Sequence, residues 1–126
     1  MKILVVEDSA LLRRMYHLAF PRREHELDTA EGGRQALDLL AESRPPHDII
    51  LLDLRMPDMS GVEFIRTMRR GAARGGAPIV VTTAEPDDSH LLREAKALGV
   101  AAVVKKPWKP QQLRAVVQAV LDQLPG

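Results

Sequence analysis

Five short apolar runs alternate with stretches of helical periodicity from one end of this chain to the other, and nothing else in the sequence constrains the fold as strongly. The runs cover Lys2 to Val6, about His25 to Thr29, Asp48 to Leu54, Pro78 to Thr83 and Ala101 to Val104. Strand and helix patterns in strict alternation predict βα units, hence an α/β fold with a parallel sheet covered on both faces. The second run is interrupted by charged residues, which an edge strand tolerates. With 126 residues, 45% of them hydrophobic, the chain has room for one domain and one core.

The intervening segments carry their own boundaries. Ser9 is a suitable N-cap for a first helix with Leu12, Met15, Tyr16 and Ala19 on one face, and Pro21 ends it. A second helix runs from about Gly33 to Ser43 with Ala36, Leu37 and Leu40 inward, stopped by Pro45-Pro46. A third follows Ser60-Gly61 and buries Val62, Ile65 and Met68, and a fourth puts Leu91, Ala95 and Leu98 on a stripe that Gly99 closes. The fifth begins at Pro110, with Leu113, Val116, Val117, Val120, Leu121 and Leu124 on its apolar side. Leu11 and Leu18 fall off the stripe of the first helix and are expected at the surface, open to a partner helix. Gly71 to Gly76 reads as a flexible connection. The basic run Arg66 to Arg74 sits at a helix C-terminus, where the helix dipole favours cations on a solvated face.

Charge and composition exclude several function classes. A net charge of +1 is too balanced to argue for nucleic-acid binding. The absence of cysteine removes disulfides, thiolate catalysis and thiolate metal sites. His17, His25, His47 and His90 show no metal-ligand spacing and read as surface residues. The apolar run after Met1 is cut by Glu7 and Asp8 before it reaches the roughly 7–15 residues of a secretory h-region. No stretch approaches the about 18 apolar residues of a membrane span. A soluble, cytoplasmic chain is the expectation.

Chemistry concentrates where the strands end. Asp48-Ile49-Ile50-Leu51-Leu52-Asp53-Leu54 is an almost wholly apolar strand that delivers the carboxylate of Asp53 and then meets Met56-Pro57-Asp58-Met59-Ser60-Gly61. A carboxylate in such a place is costly unless a cation or hydrogen bonds compensate it. The first run ends in Glu7-Asp8 and the fifth runs into Lys105-Lys106-Pro107. In a parallel sheet these ends lie together, where open α/β folds bind ligands. Paired carboxylates from two strand ends suit a hard divalent cation, and Mg2+ takes one or two carboxylates together with phosphate oxygens. With that charge partly neutralised, Asp53 can act as a carboxylate nucleophile toward a phosphoryl group. Lys106 and one of Thr82 or Thr83 would complete such a site.

These four elements resemble the receiver domain of two-component response regulators, in the single-domain form typified by the chemotaxis regulator. They are Glu7-Asp8, Asp53 through Gly61, Thr83-Ala84 and Lys106-Pro107, in order and each at a strand end. The resemblance covers residues 1–126 and implies a flavodoxin-like doubly wound (βα)5 fold with strand order 2-1-3-4-5 and no output domain. It implies a phosphorylation switch in which Asp53 accepts phosphate from a sensor histidine kinase or a histidine phosphotransfer protein, with self-dephosphorylation rather than enzymatic turnover. Mg2+ would be held by Glu7, Asp8, Asp53 and the backbone carbonyl of Arg55. Lys106 would pair with the phosphoryl group and Thr83, ahead of Ala84, would be the switch hydroxyl. The Lys106-Pro107 bond would be cis. The state would pass to another protein through the face of the fourth helix, fifth strand and fifth helix, without direct nucleic-acid or membrane contact.

Two departures stand out. Val103 occupies a position that is often aromatic in the family, and the acidic pair is Glu-Asp rather than Asp-Asp. Trp108 is the nearest large ring. Arg55 and Glu85, each two residues beyond a site residue, are expected to pair across the mouth and slow loss of the phosphoryl group. Lys105 is expected at the surface, and Thr82 reads as an ordinary strand residue.

Three other functions compete. A phosphatase of the haloacid dehalogenase type carries a second acid two residues after its nucleophile, where this chain has Arg55. No Gly-x-Gly-x-x-Gly or Walker-type loop follows the first strand, which disfavours nucleotide binding. A receiver-like protein-binding module that signals without phosphorylation is the closest rival.

Overall fold

In a computed structural model, which describes residues 1–71 and 76–124, the five apolar runs form one parallel sheet. The elements follow as β1 (Lys2–Val6), α1 (Ala10–Ala19), β2 (Glu26–Ala30), α2 (Gly33–Glu42), β3 (Ile49–Asp53), α3 (Gly61–Arg70), β4 (Ile79–Thr83), α4 (His90–Ala97), β5 (Ala102–Lys105) and α5 (Pro110–Asp122). The strand order is β2-β1-β3-β4-β5, with the charge-interrupted β2 at an edge. Strand limits sit within one residue of those read from the sequence. The flavodoxin-like arrangement therefore stands, with its order reversing between β1 and β3.

Register explains how the core divides. Val5 pairs with Leu51, Leu51 with Val80 and Val80 with Ala102, so these residues share one face of the pleat. That face packs against α1 and α5, where Tyr16, Phe20, Trp108, Leu113 and Val117 are buried. The alternate residues Leu4, Val6, Ile50, Leu52 and Val81 meet α2, α3 and α4 through Ala36, Val62, Phe64, Ile65, Leu92 and Ala95. A sheet covered on both faces can dispense with polar alternation, which is why β3 reads Ile-Ile-Leu-Leu before its aspartate.

Helix ends follow local chemistry. Ser9, Ser60 and Ser89 each accept a hydrogen bond from the backbone amide three residues on, capping α1, α3 and α4. Gly99, at φ +83°, occupies the left-handed conformation that ends the turn after α4. Lys106-Pro107 is cis, as is Arg44-Pro45.

Several expectations are corrected. His47 is buried rather than superficial, and His17 and His25 are half-buried. The His47 ring is fully enclosed, with Nε2 2.7 Å from Asp28 Oδ2, so a polar partner on β2 offsets its burial. In α4, Leu92 is buried with Ala95, whereas Leu91 and Leu98 are half-buried, because the helix turns its stripe by one position toward α3. Leu124 lies beyond α5 and is exposed. Leu11 and Leu18 are 68% and 69% exposed, as their positions off the stripe imply. Of the Gly71 to Gly76 connection and the Arg66 to Arg74 basic run, residues 72–75 lie outside the described residues. Among the described residues, no helix is long and apolar enough to cross a membrane.

Candidate functional site

The carboxyl ends of β1 and β3 meet where the strand order reverses, the position at which open parallel sheets form a crevice. Glu7 and Asp8 follow β1 and Asp53 ends β3. One carboxylate oxygen from each lies within 4.8 Å of the others. Glu7 and Asp53 are buried, while Asp8 is exposed. Such a set of hard oxygen donors at one rim fits a divalent cation of the Mg2+ kind.

Lys106 reaches this group from beyond β5. Its Nζ lies 2.9 Å from Glu7 Oε1 and 3.2 Å from Asp53 Oδ2. Register brings it there: Asp53 pairs with Thr82 and Thr82 with Val104, so Lys106, two residues on, lies on the same face of the sheet as Asp53. Three carboxylates less one ammonium leave the rim two charges negative, which is the imbalance a divalent cation would neutralise. Burial pushes the Glu7 carboxyl above the ordinary range, and the Asp53 charge adds to this against the opposing pull of Lys106. Burial acts to lower Lys106, but the hydrogen bond and charge of Glu7 together with Asp53 outweigh it and hold the ammonium protonated.

Backbone groups orient the acids. Asp53 Oδ1 accepts the Arg55 amide at 3.2 Å, and Glu7 Oε2 accepts the Ser9 amide at 3.3 Å. Arg13, one helical turn into α1, donates from Nη1 to the Glu7 carbonyl at 2.8 Å and ion-pairs with Glu31 at 3.3 Å. Its role was not read from the sequence, although its place one turn after the Ser9 cap puts it beside the rim.

The two threonines of β4 separate. Thr82 shares the Asp53 face, and its hydroxyl is 2.7 Å from Tyr16 Oη in the buried layer below the rim. It is therefore more than a space-filling strand residue. Burial holds the Tyr16 phenol well above its usual range, and its ring packs at a 47° tilt against Trp108, 4.8 Å between centroids. Thr83 lies at the strand end on the other face, where its Oγ1 accepts the Glu85 amide at 3.0 Å.

Arg55 and Glu85 pair across the mouth as their spacing implied. Arg55 Nε and Nη2 donate to the two Glu85 oxygens, each at 3.1 Å. Ser89, the N-cap of α4, donates to Glu85 Oε1 at 2.7 Å. Glu85 is consequently held below the ordinary carboxyl range, first by Arg55 and then by Ser89. Lys105 is not a free surface lysine, since its Nζ donates to the Glu85 carbonyl and lies 3.1 Å from Asp87. It ties the β4–α4 connection to the edge strand.

A family model described as the response regulator receiver domain matches residues 3–118. The chain belongs to that family. Among curated relatives, this receiver is 35% identical over 121 residues to the regulatory protein AtoC of Escherichia coli, covering 96% of this chain and 25% of that protein. It is 39% identical over 122 residues to the DNA-binding response regulator MtrA of Mycobacterium tuberculosis, covering 95% of this chain and 50% of that one. The receiver thus spans about half or less of the curated relatives it matches. Among solved structures, the chemotaxis response regulator CheY4 of Vibrio cholerae superposes with a TM-score of 0.83 at 33% identity, covering 94% of this chain and 97% of that one. Receivers are regulatory domains of two-component systems, and the acidic rim has the composition to hold a metal ion.

Proposed function

We propose that this receiver is a phosphorylation-dependent switch whose phosphoacceptor is Asp53. A carboxylate oxygen of Asp53 attacks the phosphorus of a phosphohistidine, the P–N bond breaks, and the imidazole leaves with the electron pair and takes up a proton. The donor is a sensor histidine kinase or a histidine phosphotransfer protein. Glu7, Asp8, Asp53 and the Arg55 carbonyl would hold Mg2+, which would supply charge neutralisation for the phosphoryl oxygens. Lys106 exchanges its carboxylate partners for the phosphoryl group. The Thr83 hydroxyl already accepts a backbone N–H, which leaves its own proton free to donate toward a phosphoryl oxygen. The altered state passes to another protein by contact, through a shift between two populated conformers.

The observation that carries this reading is the convergence of Glu7, Asp53 and Lys106 within 2.9 and 3.2 Å across residues 99 apart in sequence. Arg55 and Glu85, paired over the mouth, support slow self-dephosphorylation by screening the approach of water. Incubation with acetyl phosphate and Mg2+ tests the reading by intact mass. Gain of one phosphoryl group that disappears in Asp53→Asn is expected. An unmodified wild-type chain would instead favour a module that signals by constitutive contact, the reading that Val103 in place of an aromatic residue leaves open.

A further inference from the structure

The loop between β3 and α3 does not stand alone; the amino end of α2 holds it from outside. Gly32, the N-cap residue of α2, has no side chain with which to cap the helix. The vacant amides are taken from a distance: Gly33 N–H donates to Asp58 Oδ1 at 3.0 Å and Arg34 N–H to Asp58 Oδ2 at 2.9 Å. The two glycines make room for this. A Cβ on Gly32 would lie 2.6 Å from Asp58 Oδ1, and one on Gly33 would lie 2.5 Å from Met59 Cγ and Sδ. Asp58-Met59 is therefore seated in a socket that Gly32-Gly33 shapes.

The loop is closed at its base, so its far end and its near end move together. Gly61 N–H donates to the Leu54 carbonyl at 2.8 Å, and Arg55 bridges Ser60 across the loop. Arg55 is the residue whose amide holds Asp53 Oδ1. The same end of α2 also steadies the opposite side of the rim: Glu31, just before Gly32, pairs with the Arg13 that donates to the Glu7 carbonyl, and Glu7 N–H donates to the Ala30 carbonyl at 2.9 Å. Residues 30–34 thus brace both halves of the acidic rim.

We infer that Asp58 is a positioning residue for the cation site, setting the place of Arg55 and Asp53 relative to Glu7 by anchoring their loop on α2. The inference rests on the proposed reading of Glu7, Asp8, Asp53 and the Arg55 carbonyl as cation ligands. Groups that orient ligands from behind typically alter metal affinity about 10–100-fold when removed, and a solvent-facing anchor belongs at the lower end.

Titration with Mn2+, followed by the EPR signal of the free ion, tests this on the whole chain. Asp58→Ala is expected to raise the Mn2+ dissociation constant about 10-fold. It should raise the Mg2+ concentration for half-maximal phosphorylation by acetyl phosphate by the same factor, while the rate at saturating Mg2+ stays the same. Gly32→Ala, whose extended φ of −162° suits alanine, should weaken Mn2+ similarly by displacing the carboxylate without removing its charge. Asp38→Asn, an exposed acid on α2, controls for bulk charge and should leave the affinity unchanged. A lower melting temperature with unaltered Mn2+ affinity in both Asp58→Ala and Gly32→Ala would overturn the inference, reducing Asp58 to a helix cap. Equal weakening in Asp38→Asn would overturn it as well. A wild-type chain that binds no Mn2+ and takes no phosphoryl group would instead sink the reading of the site on which it rests.

Discussion

Lys106→Met isolates the ammonium that faces two buried carboxylates. Lys106 keeps 15% side-chain exposure, Glu7 1% and Asp53 8%, with contacts of 2.9 and 3.2 Å. Removing one partner from a buried ion pair leaves an uncompensated charge and costs about 3–5 kcal/mol. Two features place this case at the lower end. The lysine is partly wetted already, and Glu7, pushed up by burial, can take a proton once Lys106 no longer holds it down. About 3 kcal/mol at neutral pH is the expected loss, which for a domain of this size lowers Tm by roughly 12 °C. An acid whose folded pKa is raised contributes stability that is full below its unfolded value and is lost as pH rises through the folded value. The raised Glu7 becomes still higher in the variant, so its deficit should shrink as the solution is acidified toward pH ~5. Mg2+ should narrow the gap too. A ligand at 100 times its dissociation constant stabilises by about 2.7 kcal/mol, and the more negative variant rim reaches that ratio at lower Mg2+. Urea unfolding of both chains, with and without Mg2+ at two pH values, measures these differences. A loss under about 1 kcal/mol at equal m-value, or a gap that widens with Mg2+, would refute the reasoning.

Three further outcomes are expected. Tyr16→Phe and Thr82→Val should each cost about 1–3 kcal/mol by leaving a buried hydroxyl alone, and the double variant should cost less than their sum; additivity in a denaturation cycle would deny the 2.7 Å pair its role. In the Arg55→Ala, Glu85→Ala double variant the phosphoryl group on Asp53 should be lost severalfold faster, measured by its decay after donor removal, and equal lifetimes would remove the screening role. His47→Ala should lower unfolding free energy by about 2–4 kcal/mol, since it opens space at a fully enclosed ring and strips Asp28 of its partner; a change within 0.5 kcal/mol, the ~0.5 expected of surface sites, would contradict the buried pair.

What could be read from the sequence was whatever depends on local pattern. β3 betrays itself because four apolar residues in a row have few other places to go, and the Ser9 cap of α1 acts on an amide three residues away. The acids and Lys106 were legible for the same reason: each stands at a strand end, and parallel strands put their ends together. His47 was misread because burial of a histidine depends on whether a distant strand supplies a carboxylate, and Asp28 carries no local sign of doing so. Thr82 and Lys105 were likewise taken at face value, since their partners, Tyr16 and the Glu85 carbonyl, come from other elements.

The amino-acid order by itself determined the number and kind of elements, the strand limits to within a residue, and which side chains stand at the rim, because periodicity, capping and strand-end placement are properties of neighbouring residues. Only the packed chain decided the rest. It chose the 2.9 Å contact of Lys106 with Glu7, the hydroxyl pair beneath Asp53 and the grip of α2 on Asp58. Those depend on angstrom-scale distances between segments tens of residues apart, which register and helix packing set and no local pattern encodes.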